Sequence, residues 1–311
     1  MTASFLLSIK EANLLRARIR LLLRLHERLL LQPDAKTVHD LRVASRRLRE
    51  ALDFLEPLLP AASFKKLRVR AREITKTLGT TRELEVNLKL LRSLLQQRTT
   101  DPAALEFLLY SQKKQLEKSQ NKLFKSIPRN PYASFGKFMM RIKGSRARQP
   151  GSPDLLQKRI QDFHQFNVGP GTSDERLHEL RITTKKLRYS LEIYDRIFSE
   201  NLKSLIRDFK RFQDVLGEIH DLFILHGLTL DKTQKAQKRN LRHIPSALRQ
   251  VSDLLQKEKE KRKAEVPALY EALKNQITAI KIIVPPAQEP EPERKPFHVE
   301  WLEIATKGVN V

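Results

Sequence analysis

The feature that most constrains this chain is an internal repeat. Residues 38–55 read VHDLRVASRRLREALDFL and residues 177–194 read LHELRITTKKLRYSLEIY, so the two copies align at a constant offset of 139 positions. Charge sign and apolar position survive between the copies, as in the pair of Arg42 with Arg181. The repeat therefore indicates a shared surface chemistry as well as a shared ancestry.

Each copy of the repeat has the periodicity of a two-faced helix. Three cations of the first copy fall within about 80° of His39 on a helix that advances about 100° per residue. These cations are Arg42, Arg46 and Arg49. The opposite side carries the leucines of the copy: Leu41, Leu48, Leu52 and Leu55. We expect the leucine stripe to enter a core and the basic stripe to bind an anion.

The whole chain has the same excess of positive charge. It contains 60 Lys and Arg residues against 36 Asp and Glu residues, which gives a formal net charge of +24 over 311 residues. This imbalance favours a polyanionic partner.

The absence of Cys excludes disulfides, thiolate metal sites and cysteine nucleophiles. A cytoplasmic location is the resulting expectation.

Leucine spacing and low glycine content predict an all-α fold. Leu recurs at helical spacing along most of the chain, only 9 Gly are present, and strand-like alternation is scarce. No stretch approaches the roughly 18 uncharged apolar residues that a membrane-spanning helix needs. Lys10 and Glu11 interrupt the only apolar run at the N-terminus, too early for a secretory signal. The sequence therefore predicts neither a membrane-spanning nor a secreted chain.

Capping residues and breakers predict where the helices begin and end. A first helix is expected over residues 4–31, and Asp34 and Ser173 are the expected N-caps of the two motif helices. In each half the next helix closes with Leu-Gly, so Gly79 and Gly217 are expected to act as C-caps.

The segment GSRARQPGSP at residues 144–153 is the clearest linker. We expect it to separate two halves, and a tail rich in Pro and Glu to follow them. These three parts are residues 1–145, 154–284 and 285–311. In the second half, separate helices are predicted at about 222–228 and 231–260.

The chain contains the doubled pattern H-x-L-R-x-x-x-K/R-K/R-L-R, a following helix that ends in Leu-Gly, and an acidic residue four positions after that Gly. In these three features it resembles the CHAD domain family. The resemblance covers roughly residues 1–284. It implies two antiparallel helical bundles related by a pseudo-twofold axis, with the motif helices lining a basic central cleft or pore. It also implies binding of inorganic polyphosphate, and some members of the family are associated with polyphosphate granules.

Matching the family motif residue by residue gives the candidate polyphosphate-binding set. In the first copy it comprises His39, Arg42, Arg46 and Arg49, and in the second copy His178, Arg181, Lys185 and Arg188. Arg47 and Lys186 lie at the margin of the same face. Further cations could support the site or belong to solvated faces, with about even weight: Arg20, Arg24, Lys65, Arg72, Lys203 and Lys210.

Polyphosphate offers one negative charge per unit and only oxygen acceptors. Its affinity would come from Lys and Arg side chains that neutralise phosphates and release counterions. Histidines among arginines should have lowered pKa values that a bound polyanion raises, so binding should strengthen as the pH falls towards 6. His220 aligns with Arg82, so it could reach the cleft, but a helix-terminal position is the expectation for it.

The sequence contains no Gly-rich phosphate loop, no H-E-x-x-H motif and no acidic cluster suited to Mg²⁺. We therefore expect a non-catalytic binding protein without a cofactor or metal.

Two alternatives to polyphosphate binding stay open. The charge would also attract RNA or DNA, although the motif faces offer only Tyr189 for stacking against bases. A scaffold that binds a protein partner through the tail at 285–311 is the other alternative.

Overall fold

The computed structural model describes residues 4–32, 34–97, 100–126, 133–241, 243–280 and 282, and it is mostly helical. The first half contains α1 (Ile9–Leu31), α2 (Ala35–Phe54), α3 (Ala61–Thr77), α4 (Gly79–Gln97), α5 (Pro102–Ser126) and α6 (Ala133–Arg141). The second half contains α7 (Asp154–His164), α8 (Asp174–Phe198), α9 (Lys203–Lys238), α10 (Ile244–Lys263) and α11 (Val266–Thr278). A short 3-10 helix at Glu56–Leu58 and two short strands, β1 (Phe5–Ser8) and β2 (Ile142–Ser145), complete the described elements. Within these residues, no helix is long and apolar enough to cross a membrane.

The two copies of the repeat form α2 and α8, and both predicted N-caps are confirmed. The side chain of Asp34 accepts a hydrogen bond from the backbone N–H of Thr37 at 2.6 Å, and that of Ser173 accepts one from Arg176 at 3.3 Å. The leucine stripes of both helices are at most 1 % exposed: Leu41, Leu48, Leu52, Leu55, Leu180, Leu187 and Leu191. The leucine face of the repeat therefore enters the core, as predicted.

The buried apolar residues form two clusters. The larger one joins α1, α2, α3, α6, α7, α8, α11 and the N-terminal half of α9. The smaller one joins α4, α5, α10 and the C-terminal half of α9, around Leu91, Leu105, Leu225 and Leu248. Because α9 runs through both clusters, it connects the motif helices to a second packing layer.

The prediction of a helix from residue 4 is wrong, because residues 5–8 form a strand. β1 pairs with β2 in parallel, with Phe5 opposite Ile142. A capping box starts α1 at Ile9: Ser8 Oγ accepts from the N–H of Glu11 at 3.4 Å, and Glu11 Oε2 accepts from the N–H of Ser8 at 2.9 Å. The all-α expectation therefore holds only as a mostly helical fold.

The predicted glycine C-cap is wrong at Gly217, whereas at Gly79 the predicted helix end is confirmed, because α3 ends with Leu78 as its C-cap. Gly79 is the first residue of α4, Gly217 lies inside α9, and no glycine in the described ranges has a positive φ. The helix continues through Gly217 because Leu216, Ile219 and Leu222 carry one buried stripe across it.

The predicted helices at 222–228 and 231–260 are therefore not the observed ones. α9 runs unbroken to Lys238, and the break comes at Asn240, whose φ of 55° lies in the left-handed region that Asn tolerates. The next helix, α10, begins four residues later with Pro245 in its first turn.

Each half contributes an arginine to the motif helix of the other half. Arg18 of α1 lies 4.0 Å from Glu192 of α8, and Arg159 of α7 lies 2.6 Å from Glu50 of α2. Arg159 also donates to Ser190 Oγ at 2.5 Å. The Arg159 and Glu50 side chains are only 8 % and 4 % exposed, so this pair is a buried connection between the halves.

Breaking that buried pair should destabilise the whole fold. We expect Glu50→Ala to lower the free energy of unfolding by about 3 kcal/mol, because it leaves the Arg159 charge buried without its partner. The control Asp231→Ala removes the partner of Lys235 on an exposed turn of α9 and should cost less than about 0.5 kcal/mol. Urea unfolding measures both values, and equal losses would contradict a special role for the buried pair.

Candidate functional site

Four cations meet where α2 packs against α8. We call Arg42, Arg46, Arg181 and Lys185 the central cluster. The two residues from α2 and the two from α8 lie close enough that Arg46, Arg181 and Arg42 together lower the pKa of Lys185. The structure therefore brings together four of the eight residues that the repeat predicted on one basic face.

Within the described ranges, the central cluster has no direct ion-pair partner, although the more distant charge of Asp221 acts on Arg181. Among the described residues, no carboxylate lies within ion-pair distance of any of its four side chains. The Nε–H groups of Arg42, Arg46 and Arg181 are buried and have no protein acceptor there. A buried donor without an acceptor costs about 1–3 kcal/mol, and more when it is charged. The cluster is thus suited to accept an anionic ligand with several oxygen acceptors.

Burial and mutual repulsion both act on the charges of the central cluster. Burial, followed by repulsion from Arg46, Arg181 and Arg42, lowers the pKa of Lys185 from 10.5 to about 7. Burial, followed by repulsion from Arg46, Arg181 and Arg82, lowers the pKa of Arg42 to about 10. Lys185 is therefore the member of the cluster whose charge can change near neutral pH.

Three histidines border the central cluster. His39 lies near Arg82, and burial followed by that charge lowers its pKa. His178 and His220 touch, with 3.3 Å between their Nδ1 atoms. Burial, then the charges of Arg181 and His178, lowers the pKa of His220 to about 4.

The expectation of a helix-terminal His220 is wrong, because α9 continues past Gly217 and carries His220 on its middle turns to His178. Arg82, at the aligned position, acts on both His39 and Arg42. The alignment of His220 with Arg82 is the sequence signal that points to the site, and the expected helix end at Gly217 conflicts with it.

Two of the predicted arginines lie beside a carboxylate instead. Arg188 donates to Glu192, and Arg47 lies 3.2 Å from the same carboxylate. Arg18, which the sequence reasoning missed, is the third arginine near Glu192. The ring of Tyr189 lies 4.5 Å from the Arg188 guanidinium and 5.8 Å from that of Arg47, and it is only 4 % exposed. These arginines are partly neutralised, unlike the central cluster.

Four other candidates line a separate groove of about 770 Å³ between α2, α3 and α7. They are Arg49, Lys65, Arg72 and Lys186. Lys158 also lines this groove and was not predicted, and Arg68 is paired there with Asp53 at 2.6 Å. Arg49 acts on the pKa of Arg46, so the groove adjoins the central cluster.

The remaining predicted cations are exposed and are not among the residues of the central cluster. They are Arg20 and Arg24 on α1 and Lys203 and Lys210 on α9. Lys210 lies 3.3 Å from Asp214. Among the residues that the structure describes, no group of three or more His, Asp or Glu side chains is placed to hold a metal ion.

Comparisons with known proteins agree with this architecture. The family model of the CHAD domain matches residues 13–230. PptA from Streptomyces chartreusis has a similar fold, with a TM-score of 0.60 and 15 % identity over 86 % of this chain and 98 % of that one. The CHAD domain from the plant Ricinus communis gives a TM-score of 0.55 and 19 % identity over 90 % of this chain and 94 % of that one. No curated protein matches the chain.

Removing the Lys185 charge should stabilise the free protein. The pKa of Lys185 is 10.5 in the unfolded chain and about 7 in the folded protein. The lysine charge therefore destabilises the folded state fully below pH 7, and this destabilisation decreases as the pH rises towards 10.5. We expect Lys185→Met to raise the free energy of unfolding by on the order of 1–3 kcal/mol at pH 6 and by much less at pH 10. The exposed control Lys118→Met should change little at either pH. Chemical denaturation at the two pH values measures this, and a gain that does not depend on pH would contradict it.

Proposed function

The chain belongs to the CHAD domain family, and on that premise we propose that it binds inorganic polyphosphate without catalysing a reaction. The observation that supports this most directly is the central cluster, in which three arginines with buried, unpaired Nε–H groups and a half-buried lysine lie together without a direct carboxylate partner among the described residues. A polyanion would supply the missing acceptors and relieve the repulsion between the cations.

Polyphosphate fits this chemistry better than a single phosphate does. Its repeating units carry a charge each, so one chain can neutralise several cations and release their counterions together. Guanidinium groups bind phosphate oxygens with two parallel hydrogen bonds, which favours Arg42, Arg46 and Arg181 as its main ligands. His39 and His178 would donate single hydrogen bonds at the two ends of the cluster.

The proposed site is a basic cleft or pore between two bundles related by a pseudo-twofold axis. The helix caps support this relation, because Asp34 and Ser173, which are equivalent at the offset of 139, cap α2 and α8 in the same way. The proposed boundary between the halves is the segment 144–153. Association with polyphosphate granules in the cytoplasm belongs to the same proposal.

A nucleic-acid ligand is the main alternative. Proteins that bind single strands usually offer aromatic rings for stacking. Tyr189, the aromatic residue of the motif faces, is buried beside Arg47 and Arg188 and is therefore a poor stacking surface. This favours a polyanion without bases in the central cluster. The scaffold alternative depends on residues 285–311, which lie outside the described residues, and it stays a prediction.

The double variant Arg42→Ala with Arg181→Ala should lose most of its affinity for long-chain polyphosphate, because it removes one central arginine from each motif helix. The wild-type slope of log affinity against log salt should be on the order of −5 for about eight contacts, and the variant slope should be shallower by about 1.4. A matched control, Arg92→Ala with Arg239→Ala, removes two exposed arginines outside the cluster. Titrations at several salt concentrations, with single-stranded RNA of equal charge as competitor, measure both effects.

Two results of these titrations would count against the proposal. Equal losses in the double variant and in the control would mean that net charge, and not the central cluster, determines binding. RNA that binds as well as polyphosphate at physiological salt would favour the nucleic-acid alternative.

Affinity for polyphosphate should increase as the pH falls from about 9 to 6. Lys185 and the bordering histidines have lowered pKa values in the free protein, and a bound polyanion raises them, so binding takes up protons. Each proton taken up increases affinity by up to about tenfold per pH unit. Lys185→Arg keeps the charge but should lose the dependence between pH 7 and 9 while retaining the histidine part below it. The same slope in wild type and Lys185→Arg above pH 7 would contradict this role of Lys185.

A further inference from the structure

A second cavity lies beside the central cluster and has a different chemistry. It has a volume of about 400 Å³ and lies between the first turns of α8 and the middle of α9. Its apolar lining comprises Leu177, Leu216, Ile219 and Phe223. His178 and His220 line the same cavity. A pocket of this size and mainly apolar character is typical of small-molecule sites.

The histidine pair joins this cavity to the central cluster. His178 and His220 contact each other at 3.3 Å, and Arg181 and Lys185 act on the pKa of both. Arg181 follows His178 by one helical turn, and an added Cβ at Gly217 would lie 3.9 Å from Arg181 Nε. A ligand in the cavity could therefore extend directly onto the phosphate-binding cations.

The first half of the chain replaces two residues of this cavity with an ion pair. At the offset of 138 positions that relates α9 to the first half, Arg82 corresponds to His220 and Glu85 to Phe223. Arg82 and Glu85 lie 3.3 Å apart, and the Glu85 side chain is only 6 % exposed. The apolar cavity is thus a property of the second half and not of the repeat itself.

Phe223 gives the cavity a surface for stacking. It is 40 % exposed, and Lys259 Nζ lies 5.5 Å from its ring centroid. An aromatic ring beside phosphate-binding cations is the combination that binds bases linked to phosphates.

The rim of the cavity supplies hydrogen-bond acceptors. Asp174, Glu175 and Glu179 line it, and two of them are held in place by cations: Asp174 by Lys259 at 2.5 Å and Glu179 by Arg176 at 2.6 Å. Carboxylate oxygens accept hydrogen bonds from amino and hydroxyl groups, which bases and ribose possess and phosphates lack. The rim therefore favours the nucleoside end of a ligand over more phosphate.

We propose that this cavity and the adjoining cations form a site for a nucleoside polyphosphate such as ATP. The base lies against Phe223, and the phosphates reach His178, His220 and Arg181. The inference rests on the proposed function, because its phosphates use part of the polyphosphate site, and the two ligands compete.

The test compares ATP with tripolyphosphate by calorimetry in the presence of EDTA. Both carry three linked phosphates, so the nucleoside accounts for any preference. We expect wild type to bind ATP about tenfold more tightly than tripolyphosphate, as one stacked base contributes. Phe223→Ala should lose this preference and keep its affinity for long-chain polyphosphate. Tyr110→Ala removes a 69 % exposed aromatic residue of α5 and should bind ATP like wild type.

The outcomes separate this inference from the function on which it rests. Long-chain polyphosphate that binds normally, with no preference for ATP or with a preference that survives Phe223→Ala, would overturn the inference alone. Binding of ATP that depends on Phe223, without binding of either polyphosphate, would support the cavity and overturn the polyphosphate function. Absence of binding by all three ligands to folded wild-type protein would overturn both.

Discussion

Repulsion between half-buried cations is the constraint around which the rest of the structure is arranged. Arg42 and Arg46 on one motif helix face Arg181 and Lys185 on the other, and burial with mutual repulsion lowers the pKa of Lys185 to about 7. The leucine stripes on the opposite sides of these helices are buried and oppose this cost. The chain thus maintains, through its apolar core, an arrangement of charge that a polyanion would stabilise.

The two halves contain the same type of motif helix, but different side chains surround the helix in each half. Around Glu192 three arginines share one carboxylate, whereas Glu50 pairs with the single buried Arg159. Beyond the cluster, the second half opens a cavity at Phe223 where the first half has an ion pair. Duplication therefore accounts for the shared basic face, and later divergence accounts for the distinct ends of the site.

The parts of the fold that depend on local pattern were predictable from the sequence. The caps at Asp34 and Ser173 and the leucine stripes follow from residue types a few positions apart. The pairing of Phe5 with Ile142 was not predictable, because strand partners so distant in sequence leave no local periodic signal. Gly217 does not end a helix, because the buried stripe of α9 outweighs the tendency of glycine to do so.

The candidate site was predictable as a set of cations but not as a geometry. Helical spacing alone grouped Arg188 with Arg181, yet the carboxylate of Glu192 draws Arg188 away from the cluster. His220 joins the site through tertiary packing of α9 against α8, which only the alignment with Arg82 hinted at. Spacing identifies which residues share a face, and packing determines which of their charges remain without a partner.

In the folded protein Lys185 lies among cations that have no direct ion-pair partner in the described residues, and we propose that a polyanion neutralises them. The most direct test is the pKa of the Lys185 amine, followed by NMR in the free protein and with saturating long-chain polyphosphate. We predict a pKa of about 7 in the free protein and a clear rise of this pKa on binding. A free value near the ordinary 10.5 of lysine, or one that polyphosphate leaves unchanged, would contradict it.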